Sequence, residues 1–235
     1  MIPGRKIAAD GDEHEVSIEA GNVILQGTLG MPQRAGAIVL FAHGSGSSRH
    51  SPRNRSVAQA LRAAGVGTLL FDLLTAQEET VDEETGELRF DIVLLAKRLE
   101  EATRWLMHQP EKDRMPLGYF GASTGAAAAL VAATKMDQKI GAIVSRGGRP
   151  DLAGEALALV KAPTLLIVGG NDEPVIRMNR RALAELGSEV KRMHIVPRAT
   201  HLFEEPGALE EVARLAADWF KTYIVASADK PGPSK

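Results

Sequence analysis

Cysteine is absent from the 235 residues, which removes disulfides, thiolate catalysis, zinc fingers and iron–sulfur clusters from consideration. Aromatic residues are scarce, with two Trp, two Tyr and six Phe, too few for a base-stacking platform that would hold single-stranded nucleic acid. Neither sign of charge dominates. Lys and Arg number 28 against 30 Asp and Glu, a net charge of −2, so there is no basic field to attract nucleic acid. No apolar run reaches the roughly 18 residues of a membrane-spanning helix. The opening stretch MIPGRKIAADGDEHEV lacks the apolar centre of a secretory leader. These absences lead to the expectation of a cytoplasmic protein with neither nucleic acid nor membrane as a partner. They leave the oligomeric state open.

What is present is a regular alternation. EVSIEA (15–20) and NVILQGTLGMP (22–32), punctuated by Gly21-Asn22, read as an antiparallel hairpin. Six short apolar runs follow at 37–44, 67–74, 117–121, 141–147, 164–170 and 190–196, the pattern of strands buried on both faces of a parallel sheet. Helical periodicity fills the gaps: 56–64, 91–108, 125–136, 152–160, 175–186 and 209–223. The expected fold class is therefore α/β, a doubly wound and mostly parallel sheet with helices on both faces and the hairpin at one edge. Residues 1–225 read as one domain. The polar, Pro- and Gly-containing tail 226–235 reads as disordered. The acidic run 76–90 reads as a solvated loop or short excursion.

In open α/β sheets, function gathers beyond the carboxyl ends of the strands. After the run at 117–121 stands Gly121-Ala122-Ser123-Thr124-Gly125, a G-x-S-x-G sequence between a strand and a helix. A serine held on so tight a turn needs small residues two positions to either side, because larger side chains would collide with each other or with the next strand. The helix that follows turns its free N–H groups towards the serine. A serine hydroxyl is a weak nucleophile near neutral pH and needs a base. Asp172 stands after the run at 164–170 and His201 after the run at 190–196. The chain order Ser123, Asp172, His201 is that of an acid–base–nucleophile triad built on strand ends. Asp151 and Glu173 are alternative acids. His194 reads as a structural residue inside a strand, His14 and His108 precede any catalytic strand end, and His43 lies on a different loop. For an oxyanion hole, the backbone N–H of Thr124 is one candidate donor, and that of Ser45 in HGSGSS (43–48) is the other, with Gly46 as the alternative. A phosphate-cradling role for that loop lacks both the lysine of a P-loop and the G-x-G-x-x-G spacing. Five arginines flank the expected mouth: Arg49, Arg53, Arg55, Arg146 and Arg149. Of these, Arg146, with Arg49, is the candidate to hold an anionic group of a substrate.

These stretches resemble the α/β-hydrolase superfamily and, within it, the dienelactone hydrolase-like family. The likeness runs from AIVLFAHGSGSSRHSPRNR through GYFGASTGAAAAL, VSRGGRPDLAG and VGGNDEPV to ATHLFEEPG. In particular the chain is similar to the small hydrolase domain sometimes fused to a phosphoribosyltransferase. The resemblance implies hydrolysis of esters or lactones through a Ser-His-Asp triad, with no cofactor and no metal. Classical dienelactone hydrolases carry a cysteine nucleophile, which this chain lacks, so ordinary carboxylic esters are the expected substrates. A hydrolase-fold binding or regulatory domain, and an acyltransferase or peptidase using the same triad, are the competing readings. The segment between 147 and 164, where many such hydrolases insert a cap, is short, so little or no cap is expected.

Overall fold

The computed structural model describes residues 13–110, 115–136 and 139–225. The tail 226–235 and the first twelve residues lie outside them. Eight strands form one sheet in the order β1-β2-β4-β3-β5-β6-β7-β8. They are β1 Glu13–Ala20, β2 Val23–Gly30, β3 Ile38–Ala42, β4 Gly67–Phe71, β5 Leu117–Ala122, β6 Ile140–Arg146, β7 Thr164–Gly169 and β8 Lys191–Val196. The hairpin β1–β2 is antiparallel and meets β4 antiparallel. All remaining pairs are parallel. Gly21 makes the hairpin turn at φ 65°, a left-handed conformation that glycine adopts without steric cost.

The helices are α1 Pro52–Ala63, α2 Ala76–Thr85, α3 Ile92–Met107, α4 Thr124–Lys135, α5 Glu173–Glu185 and α6 Ala208–Phe220. Helices α1 and α6 cover one face of the sheet, over Val39, Phe41, Phe120, Val144 and Ile167. Helices α3 and α4 cover the other, over Leu40, Leu69, Tyr119, Ile143 and Leu166. Strands β3 to β7 are buried almost throughout, as their unbroken apolar runs require. From β3 the chain goes first to β4 on one side and later to β5 on the other, so the strand order reverses beside β3. That reversal opens a crevice at the carboxyl ends of β3 and β5.

Two stretches differ from the periodicity. The acidic run 76–90 forms a helix, α2, and a 3₁₀ turn at Leu88–Phe90. Thr75 caps α2 by accepting the Glu78 N–H, Glu78 returns the bond to the Thr75 N–H, and Gly86 ends the helix at φ 67°. Between β6 and β7, Pro150–Leu159 is 3₁₀ rather than α-helical, broken at Gly154 (φ 53°). Among the described residues, no large cap stands over the carboxyl ends of the strands. Among the described residues, no helix is long and apolar enough to cross a membrane.

Candidate active site

Ser123 occupies the junction of β5 and α4 with φ 51° and ψ −121°. A non-glycine residue pays for a positive φ, and such outliers persist only where the surroundings impose them. The imposing contacts are backbone. A Cβ on Gly125 would lie 2.2 Å from the Ala42 carbonyl oxygen, and one on Gly121 would lie 2.4 Å from the Ala126 Cα. Helix α4 is therefore pressed against the ends of β3 and β5, and Ser123 is the residue that must turn. Its N–H donates to the Arg146 carbonyl at 3.3 Å, and its own carbonyl accepts from Ala126 and Arg149. The hydroxyl makes no capping bond to α4, which leaves the oxygen uncommitted at the helix N-terminus.

His201 and Asp172 meet across the same crevice. The His201 Nδ1–H donates to Asp172 Oδ2 at 2.7 Å, so Nε2 is the nitrogen left free to accept a proton. Asp172 stands at the N-cap of α5 without capping it, and its side chain is 14% exposed against 40% for His201. The loop carrying His201 is held through hydrogen bonds to its backbone. Asn171 N–H donates to the Ala199 carbonyl, Asn171 Nδ2 donates to the Arg198 carbonyl, and the Thr200 N–H donates to Glu205. Phe203, buried at φ 57°, pins the loop into the core. The His201 backbone and ring lie over Gly147, the residue after the one whose carbonyl receives the Ser123 N–H.

The other candidate acids and histidines are otherwise engaged. Asp151 is bidentate to Arg149. Glu173 is exposed and faces Arg177. His43 is buried, and that burial lowers its pKa; its Nε2 accepts the Leu73 N–H at 3.0 Å, a structural arrangement. His194 lies on the edge strand β8, 3.6 Å from Glu211.

The glycine-rich loop after β3 packs directly on the elbow, where a Cβ on Gly44 would come within 3.0 Å of the Ser123 Cβ. The Ser45 N–H donates to the Thr124 hydroxyl at 2.9 Å. Beside this loop opens a cleft of about 220 Å³, lined by Ser45, Ser48, Leu74, Glu79, Glu83 and Arg89 among others. One wall belongs to α2, which the composition of 76–90 did not foretell. The capping pair Thr75 and Glu78 was the available signal. The Glu79 carboxyl is raised by burial and by the nearby Asp72 and Glu83 carboxylates, so the cleft is acidic at this wall.

The arginines separate into matched and unmatched. Arg49 pairs with Asp72 and Glu15, Arg53 with Glu204, Arg55 with Glu13 and Arg149 with Asp151. Arg146 is 8% exposed, and its buried Nη1 has no hydrogen-bond partner. Burial, then the charge of Arg53, lowers its pKa to about 10, still high enough to keep it cationic at neutral pH.

A sheet in this order with a positive-φ serine at the strand–helix junction defines an α/β-hydrolase fold. Residues 25–224 match the dienelactone hydrolase family, and the chain belongs to that family. It is 60% identical to a dienelactone hydrolase from Anabaena variabilis of known structure, covering 92% of this chain and 99% of that one at a TM-score of 0.89. It is 54% identical to a putative phosphoribosyl transferase of Mycobacterium tuberculosis over 94% of this chain but 48% of that protein. The chain thus spans about half the length of the curated relative it matches. Est1E from Butyrivibrio proteoclasticus shares the fold at 14% identity, with a TM-score of 0.74 over 88% of this chain and 98% of that one.

Proposed function

We propose that this protein is a serine hydrolase of small carboxylic esters or lactones, working through an acyl-Ser123 intermediate. The observation that carries the reading is the backbone of Ser123, a serine kept at φ 51° where the two flanking glycines admit no side chain. In the reaction, Ser123 Oγ attacks the acyl carbon as its proton passes to His201 Nε2. Asp172 holds the Nδ1–H and stabilises the imidazolium. The proton then moves to the leaving oxygen as the carbon–oxygen bond breaks. Water repeats the sequence to release the acid and restore Ser123. The negative oxygen of each tetrahedral intermediate is met by the Thr124 N–H and by a second donor where Thr124 touches the Ser45 loop.

Arg146 supports an anionic substrate group. It is the flanking arginine without a carboxylate partner, its backbone is bonded to the nucleophile residue, and a buried unpaired cation favours an anion strongly. Arg49 would have to leave Asp72 to join it. Replacing Ser123 by Ala should abolish labelling by a fluorophosphonate and reduce ester turnover by roughly 10⁴-fold or more. Substantial turnover in that variant would refute the reading. Arg146→Met should lower kcat/KM for a carboxylated ester by about 1.5–3 kcal/mol relative to its neutral analogue. Equal losses for the two esters would make Arg146 structural. Binding without catalysis is the weaker reading, because a binding module has no use for a serine strained at φ 51° in the same crevice as a hydrogen-bonded histidine–aspartate pair.

A further inference from the structure

The bond between the Ser45 N–H and the Thr124 hydroxyl changes how the oxyanion hole must work. An N–H directed at a hydroxyl oxygen is not free to make a full bond to an acyl oxygen as well. We infer that, within the serine-hydrolase reading above, the second oxyanion donor is the Thr124 side-chain O–H, with the Ser45 N–H polarising it from behind.

The hydroxyl's position supports this. Elsewhere in the described residues, helical threonines give their proton to a carbonyl three or four residues back: Thr80 to Ala76, Thr85 to Val81, Thr103 to Leu99, Thr134 to Val131 and Thr222 to Asp218. Thr124 is the first residue of α4, so no preceding helical turn offers it such a carbonyl. It is 2% exposed and accepts from Ser45, and no described residue accepts its proton. A hydroxyl that has accepted a hydrogen bond is a stronger donor for its own proton. The backbone N–H and the hydroxyl of Thr124 both stand at the N-terminus of α4, and in the proposed hole one oxygen takes both. The arrangement yields two donors from Thr124 and a fixed support from Ser45. The support is rigid because the loop at Gly44 is packed on the Ser123 Cβ.

The test uses Thr124→Val, which keeps the shape and removes the hydroxyl, and Thr124→Ser, which keeps the hydroxyl. Thr124→Val should lower kcat about 10²-fold, the effect of losing one oxyanion donor, with little change in KM. The second-order rate of fluorophosphonate labelling should fall in parallel, since the phosphoryl oxygen occupies the same hole. Thr124→Ser should keep both rates within a few-fold of the parent. If Thr124→Val does not fold, as judged by circular dichroism and thermal melting, Thr124→Ala carries the same expectation. An unchanged or raised kcat in the hydroxyl-free variant would overturn the relay and leave Ser45 as the direct donor. So would a Thr124→Ser variant as slow as Thr124→Val, because the threonine methyl would then be what matters. Either result leaves Ser123 labelled and the hydrolase reading standing. Absence of labelling and turnover in the parent protein would remove both.

Discussion

An added Cβ on Gly125 would sit 2.2 Å from the Ala42 carbonyl oxygen, whereas one on Gly86 would meet nothing within 4 Å. The first glycine belongs to the elbow that carries Ser123, the second to the excursion 76–90 that walls the neighbouring cleft. Both regions border the crevice, but different forces hold them. The elbow is fixed by backbone from three elements: β3, β5 and α4. The excursion is fixed mostly by its own short-range bonds: the Thr75–Glu78 capping box, the left-handed Gly86, and Asp82 receiving both the backbone N–H and the guanidinium of Arg89. Its tie to the body is the ion pair of Glu78 with the buried Arg98 of α3. Its outer side leaves Val81 54% and Phe90 57% exposed. The serine's geometry is thus tied to the stability of the whole sheet, while the cleft wall rests mostly on local bonds and one ion pair to α3.

Gly125→Ala should break the comparison at its strong end. The new methyl collides with carbonyl oxygens that cannot move without displacing β3, at a cost of about 3 kcal/mol or more. A large drop in the urea midpoint, together with lost Ser123 labelling, is the expected result; a midpoint near the parent's would mean that the elbow yields. Gly86→Ala strains only a left-handed turn, by about 1–2 kcal/mol. It should speed limited proteolysis within 76–90 while leaving the global urea midpoint and Ser123 labelling unchanged. Thr75→Ala removes the N-cap, costing about 1 kcal/mol, with the same local signature. A global shift in either variant would show that the excursion is coupled to the sheet.

The smallest expected effect is a response to acid. Burial pushes the Asp82 carboxyl upward, but the Arg89 backbone and side chain outweigh it and hold the group below its ordinary value of 3.8. A carboxyl depressed in the folded state contributes stability in full above the ordinary value and loses it as pH falls through the lower folded one. Proteolysis of 76–90 by an acid-active protease should therefore accelerate through that window. Asp82→Asn should be cut faster at neutral pH and lose the acid step. A parent protein equally resistant on both sides of the window would exclude Asp82 as the anchor.

Much was legible without coordinates, for definite reasons. Strands buried on both faces tolerate only apolar side chains, so the runs at 37–44, 117–121 and 164–170 declare themselves. Gly121 and Gly125 around Ser123 are legible because sterics at an elbow forbid anything larger. The order Ser123, Asp172, His201 follows from where the strands end. The α2 helix is less visible, because its hydrophobic periodicity is weak and its evidence lies in two caps, Thr75 with Glu78 and Gly86, rather than in an apolar stripe.

What the linear chain determined by itself is each residue's chemistry and its position relative to a strand or helix end, since those depend on local sterics and on a period of two or 3.6 residues. Only the tertiary structure decided which charges cancel and which donors are taken. Arg49 and Arg146 look alike in sequence, yet one is matched by Asp72 and Glu15 and the other is buried unmatched. Ser45 and Thr124 lie 79 residues apart, and nothing in either segment encodes their hydrogen bond. Pairing of this kind depends on where β3 and β5 come together in the sheet, and that is set by packing over the whole core rather than by either neighbourhood.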